Sequence, residues 1–253
     1  MTFATNHTIE PDTTIGRPHR LPVAAALARE AAMLDAVAGG AAPQILVWQC
    51  ERCIVVPRRL TSSAGFPTAA ADLERGGFPV FVRNTGGDAV VQGPGVVNVS
   101  LAFARSPKQE DRIGEAYRIL CAPLMALLKE HGIEAANGAI AGAMCDGAFN
   151  VTAMGRKLAG TAQRWRSLRG AAGFAVLGHL ALSVDLDHAA AADAVNVFYA
   201  AAGIESRVRG DVHINMAELL GPISTDAVVE SLASRYAAAA GRLSLASSTI
   251  LPF

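Results

Sequence analysis

The chain has 253 residues, 51% of them hydrophobic and 17% charged, which is enough apolar material for a well-filled core and excludes a disordered or repeat protein. Lys plus Arg and Asp plus Glu each number 22, so no global charge steers the molecule toward nucleic acid or an anionic membrane surface. Four cysteines are too few for a disulfide scaffold in a chain this long. The opening residues, MTFATNHTIEPDTTIGRPHR, are polar, lack the apolar core of a secretory signal and read as a flexible tail over 1–20. No run of about 18 uncharged apolar residues is present, so no membrane span is expected, and the cytoplasm is the expected compartment.

In chain order, a helix is expected over 22–37, with Leu27, Leu34 and Val37 on one face and Gly39-Gly40 as its stop. QILVWQ (44–49) and CIVVP (53–57) read as strands, and 67–75 as a short helix ended by Gly76-Gly77. PVFVR (79–83), AVVQ (89–92) and VVNVSLAF (96–103) are further strands joined by glycine-bearing turns. A long helix follows over 109–131, where Ile113, Tyr117, Leu120, Leu124, Leu127 and Leu128 recur at helical spacing before Gly132. AFNVTAM (148–154), RKLAGTAQ (156–163) and FAVLGHLALSV (174–184) are strand-like, with Met154-Gly155 as a hairpin tip. Helices over 189–202 and 225–242 finish the chain. Strands following one another without intervening helices argue against a doubly wound parallel sheet. The expected fold is α+β, a mixed, mainly antiparallel sheet flanked by helices. No linker or repeat divides residues 21–253, which are expected to form a single domain.

No phosphate loop of the G-x-x-x-x-G-K-S/T kind and no G-x-S-x-G elbow is present. Cys50 and Cys53 form one C-x-x-C without a second pair; partly buried strand thiols are the preferred reading over zinc or redox use. Asp185, Asp187 and His188 form a cluster that could be imagined as metal ligands, but Asp187 before an Ala-rich stretch is more simply a helix N-cap. In RNTGGDAVVQGPGVVNVSL (83–101) the paired glycines suit either hairpin turns or close backbone approach to a ligand. Arg156, Lys157, Arg164, Arg166 and Arg169 make a basic stretch, which a solvated strand edge or loop also explains. Within CDGAFNVTAMGRKLAGTAQRW (145–165), Lys157 is followed by small residues that do not cover it. It reads as surface charge, as a point charge for an anion, or as a desolvated amine. Cys145 is either an inert thiol or a nucleophile.

GRKLAGTAQR resembles the G-R/K-K-x-A/S-G-S/T-A-Q segment of the lipoate–protein ligase and octanoyltransferase branch of the biotin/lipoate protein ligase superfamily. VLGHLALSVDLD (176–187) is similar to that family's histidine-bearing strand. The stretch 83–101 falls where ligases carry R-R-x-S-G-G-G-A-V-x-H-D and octanoyltransferases R-G-G-x-x-x-Y-H-G-P-G; here Val82 replaces one Arg, Asp88 the third Gly, and Gln92 the His. ILVWQCERCIVVPRR occupies the place of the early strand pair. No G-R-G-R-x-G-like loop of a biotin ligase is present.

The resemblance implies transfer of an octanoyl or lipoyl group to the acceptor lysine of a lipoyl carrier domain. It implies Lys157 and Cys145 as catalytic residues. It implies Arg83, Gly86, Gly87, Asp88, Gly93, Gly95, Gly160, Thr161, Gln163 and His179 as substrate-binding residues. If acyl carrier protein donates a thioester, no cofactor is required: Cys145 takes the acyl chain while Lys157 lowers the thiol pKa and stabilises the oxyanion. If the enzyme is a ligase, ATP and Mg are needed, and Lys157 binds carboxylate and phosphate oxygens. A non-catalytic acyl-binding homologue is the third reading. No metal centre, nucleic acid or membrane partner is implied.

Overall fold

The structure, a computed structural model, describes residues 19–108 and 110–248. It opens with β1 (His19–Arg20), α1 (Val23–Ala38), β2 (Gln44–Gln49) and β3 (Cys53–Pro57). A 3-10 turn (Arg58–Ser62) leads to α2 (Phe66–Arg75), β4 (Val80–Arg83), β5 (Val90–Gln92) and β6 (Val96–Arg105). Then come α3 (Arg112–Glu130), β7 (Ala135–Gly138), β8 (Asn150–Ala153), β9 (Arg156–Ser167) and β10 (Phe174–Ser183). The last elements are α4 (His188–Ala202), α5 (Met216–Leu220) and α6 (Thr225–Ser248). His19 and Arg20, expected within the tail over 1–20, form β1 by pairing with Trp48 and Gln49; residues 1–18 lie outside the described residues.

Two sheets form, a seven-stranded one in the order β1-β2-β6-β10-β9-β8-β7 and a three-stranded one in the order β4-β3-β5. Only the β1–β2 and β3–β4 pairs among these are parallel, so the expected mixed, mainly antiparallel α+β fold is what the chain adopts. Alternation along each strand decides what its two faces carry. On β6, Val97, Val99, Leu101 and Phe103 join α3 (Leu120, Leu124) and α6 (Leu232, Tyr236) in one core. The intervening Asn98, Ser100 and Ala102 turn to the other face, where Leu46, Trp48, Ala175 and Leu177 pack on α1. Fully burying one such Leu stabilises by about 1.5–3 kcal/mol. The small sheet backs onto α2 and α4 through Ile54, Val56, Leu73, Val195 and Phe198. The face carrying polar and small residues thus lies between the two sheets.

Helix ends follow local chemistry. Asp111 accepts from the Gly114 amide at 3.0 Å, which starts α3 at Arg112 rather than 109. Asp187 caps α4 by accepting from Ala190 N at 3.0 Å, in line with the N-cap reading. Met154 and Gly155 both have positive φ, 51° and 70°, as a tight hairpin turn requires. Cys50 and Cys53 are buried free thiols. Among the described residues no helix is long and apolar enough to cross a membrane.

Candidate active site

Three segments converge between the sheets. Lys157 stands near the start of β9, where the β8–β9 register shifts at Val151/Thr152. Cys145 sits in the loop between β7 and β8, and Arg83 ends β4, leading into the 84–88 loop. Asp146 folds the cysteine loop by accepting from Ile140 N, Gly147 N and Asn150 Nδ2 at 2.7–2.8 Å. Thr161 Oγ1 donates to Phe149 O at 2.9 Å from β9, and Phe149 stacks on Tyr117 of α3 with ring centroids 4.5 Å apart. The result holds Cys145 at φ 48°, a left-handed conformation uncommon for a residue with a Cβ.

Backbone and guanidinium donors meet the sulfur. Asp88 N donates to Cys145 Sγ at 3.0 Å, and Arg83 Nη2 lies 3.7 Å from it. Arg83 also donates to Val55 O (3.3 Å), Gly86 O (3.0 Å) and Asp88 O (2.7 Å), so one side chain fixes the whole turn. Gly87 has φ +93°, and a Cβ there would stand 2.3 Å from the sulfur. Glycine is therefore required twice over, for its backbone and for the approach of the thiol. Arg59 clamps the turn from outside, donating to Gly87 O at 3.0 Å and ion-pairing with the Asp88 carboxylate.

Lys157 is 5% exposed, and its ammonium donates to the carbonyls of Met144 and Cys145, the latter at 2.9 Å. It does not donate to the sulfur itself. Burial brings its pKa down to about 8, against the pull of Cys145 and Asp146, which favour the charged form. Gly160 leaves room for the amine: a Cβ there would be 3.3 Å from Nζ. A small cavity of about 40 Å³, room for a water or so, is bounded by Met144, Lys157, Gly160, Ala181, Ser183 and His213.

From Gly160 a lane of small residues runs along the sheet, because Gly160 pairs with Ala181 and Ala162 with His179. His179 closes this lane. Its Nδ1 lies 2.7 Å from Glu30 Oε1, to which Ser100 Oγ also donates at 2.6 Å, while Trp48 Nε1 donates to Ser100 Oγ at 3.2 Å. Burial alone would push the Glu30 carboxyl up, but His179 and Ser100, with Arg83 farther off, hold it below the ordinary range.

Of the residues expected from sequence, the structure brings Lys157, Cys145, Arg83, Gly86, Gly87, Asp88 and Gly160 together and sets His179 on the same face. It does not bring Gln163, which turns to the α3 side and donates to Ile113 O at 3.2 Å, nor Thr161, which braces the loop from that same side. Gly93 and Gly95 lie one turn away: a Cβ on Gly95 would meet Asp185 O at 2.1 Å, so this glycine seats the β5–β6 turn on the end of β10. Both line a groove of about 400 Å³ with Arg52, Phe78 and Asp185. The basic stretch separates: Arg156 pairs with Glu218, Arg166 and Arg169 with Asp35, all partly exposed, whereas Lys157 is buried. Glu30, Arg59 and His213 are not marked by the sequence as parts of the site. Only the RR following Pro57 marks Arg59, and a single His in DVHIN carries no pattern.

The chain matches the family described as the lipoyl protein ligase A/B catalytic domain over residues 22–237. The octanoyl-GcvH:protein N-octanoyltransferase of Kyrpidia tusciae is 40% identical over 183 residues, 68% of this chain and 61% of that protein. Its namesake from Geobacillus kaustophilus is 33% identical over 169 residues, 66% of this chain and 57% of that protein. The chain thus spans about three-fifths of the length of these curated relatives. Among solved structures, lipoate-protein ligase A bound with ATP superposes with a TM-score of 0.66 at 19% identity, covering 88% of this chain and 85% of that one. The bipartite lipoate protein ligase of Thermoplasma acidophilum, solved in a study with its E2 lipoyl domain, gives 0.63 at 20% identity, covering 88% and 83%. At these identities the structures speak to the fold alone, and the fold agrees with the sequence match. The chain belongs to the lipoyl protein ligase A/B catalytic domain family.

Proposed function

We propose that the chain transfers an octanoyl or lipoyl group to the acceptor lysine of a lipoyl carrier domain, with Cys145 as the acyl-carrying nucleophile. The observation that carries this is the sulfur's setting: an Asp88 N–H at 3.0 Å and a guanidinium at 3.7 Å, on a turn that only glycine at position 87 permits. Both donors stand where they can hydrogen-bond an oxyanion formed beside the sulfur. The sulfur attacks the donor carbonyl, the C–S bond of the acyl-enzyme forms, and the donor's leaving group departs with a proton. The acceptor amine then attacks the acyl-enzyme, forming the amide and returning the thiol. Lys157 serves the site by tying down the Met144 and Cys145 carbonyls with two N–H groups, leaving a third for the acyl oxygen. The lane from Gly160 past Ala162 and Ala181 to His179 suits a medium-length chain, each buried methylene stabilising by about 0.8 kcal/mol.

The donor expected from sequence is an acyl carrier protein thioester; the relatives' name sets the octanoyl group on GcvH, and both are donors to test. ATP-dependent ligation is the second reading, motivated by the ATP-bound structural neighbour. The donors a nucleotide would call on do not fit it well: Arg83 is engaged with three backbone carbonyls and Asp88 N with the sulfur.

Intact mass spectrometry tests the assignment, with octanoyl–acyl carrier protein, octanoyl-GcvH, or octanoate plus Mg-ATP, each with an apo lipoyl domain. The expected result is an octanoyl mass on the lipoyl domain without ATP and a chain bearing octanoyl on Cys145. Labelling that needs ATP and survives Cys145→Ala identifies a ligase; no labelling in any mixture identifies a protein without transfer activity.

A further inference from the structure

Residues 208–214 form a strap, without regular structure, that touches both halves of the site. Lys157 N donates to Val212 O and Ile214 N to Lys157 O, each at 2.9 Å, a parallel bridge between Lys157 and His213. Arg209 N donates to Gly142 O at 2.8 Å in the cysteine loop. His213 adds a side-chain link, its Nε2 accepting from Met144 N at 3.0 Å. Its Nδ1 lies 3.3 Å from Gly210 O, so Nδ1 carries the proton and Nε2 is the acceptor. The ring stacks on that of His188, centroids 4.9 Å apart. Burial, with His188 and Lys157 beside it, pushes the His213 pKa down to about 4, so the acceptor persists at neutral pH.

Met144 is thus held at both its polar backbone groups, the amide by His213 and the carbonyl by Lys157. The next residue is Cys145 in its left-handed conformation, which persists only where the surroundings over-determine it. We propose that His213 is a positioning residue: by accepting from the Met144 amide it keeps Cys145 in the turn that aims its sulfur at Asp88 N–H. His213 acts through Met144 rather than on the reacting atoms. The inference rests on the reading of Cys145 as the nucleophile.

The test compares His213→Leu with His213→Gln in the full chain, because Gln keeps an acceptor oxygen of similar reach. Two rates are read: iodoacetamide alkylation of Cys145, followed by peptide mass spectrometry, and formation of the acyl-enzyme. With Leu the loosened turn is expected to expose the sulfur and raise alkylation severalfold, while kcat for acylation falls about tenfold or more and the donor KM holds within about twofold. Gln is expected to restore both rates toward wild type. Wild-type rates in both variants overturn the proposal. Equal impairment in both also overturns it, since the ring would then serve packing and not acceptance. If the wild-type chain forms no acyl-enzyme with any donor, the functional reading fails, and the alkylation pair alone decides the role of His213. Should His213→Leu not fold, amide exchange in the wild-type protein decides: Met144 is expected among the slowly exchanging amides, and exchange at open-loop rates overturns the proposal.

Discussion

The amide of Asp88 donates to the sulfur of Cys145 at 3.0 Å, joining positions 57 residues apart. The Asp88 side chain turns outward to Arg59, so the residue gives the turn an external anchor while its amide stays available to the sulfur.

Gly87→Ala places a Cβ 2.3 Å from that sulfur at a residue whose φ is +93°. The variant is expected to lose about 1–3 kcal/mol of stability through backbone strain. It is also expected to lose acyl-enzyme formation by about a hundredfold, because the sulfur is displaced. Denaturant midpoints and single-turnover mass spectrometry check the two separately.

Arg83→Lys keeps the charge and removes the fork. The guanidinium bonds three carbonyls on two segments, Val55, Gly86 and Asp88, and a single ammonium cannot reach all of them. A loss of about 1–3 kcal/mol is expected at roughly 1 kcal/mol per missing bond, and a urea midpoint measures it. An unchanged midpoint contradicts the assignment.

Lys157 titrates near 8 in the fold against 10.5 ordinarily, because burial disfavours its charge. Between these values the unfolded chain binds the proton that the native chain has released, so stability is expected to rise with pH through this window, by up to about 3 kcal/mol. Lys157→Met should abolish the rise. Acyl transfer is expected to move the other way, falling above about pH 8 as the ammonium that holds the Met144 and Cys145 carbonyls is neutralised. Denaturation midpoints and transfer rates at pH 7.5, 8.5 and 9.5 check both signs.

Glu30→Gln removes the charge of a buried pair. Replacing the carboxylate by an amide weakens its charge-assisted hydrogen bonds with Ser100 and His179, at a cost of about 1.5–3 kcal/mol, Gln still accepting from Ser100. The Glu30 carboxyl lies below its ordinary range, since His179 and Ser100 outweigh the burial that would raise it. Its contribution is therefore present at neutral pH and lost as the medium is acidified through the native value. The stability gap between wild type and Glu30→Gln should narrow on acidification; a constant gap removes the ionic account.

Much of the fold was legible because burial enforces periodicity. Alternation along residues 96–103 and 174–184 and helical spacing across 113–128 survive in the structure, the helix continuing through Pro123 with Leu120, Leu124 and Leu128 buried around it. The short strand Ala135–Gly138 carries too few apolar residues to announce itself, and β9 runs past Gln163 to Ser167 because its pairing with β10 continues where its side chains turn polar. Lys157 and Cys145 stand out in the sequence, but how they meet does not. Sequence reasoning set the lysine against the sulfur, whereas the amine holds carbonyls and the sulfur takes its donors from Asp88 and Arg83. Glu30 and His213 escaped for one reason: a lone polar residue shows its partner only once distant strands are in register.

Lys157 is backbone-bonded to Val212 and Ile214, residues made more than fifty positions later. A ribosome delivers Arg83, Cys145 and Lys157 first, so a half-made chain holds its thiol and its amine before the segment that braces them has emerged. The arrangement of these side chains is thereby completed only once that segment has been made, and a chain halted before Ile214 would carry the right side chains without the brace that arranges them.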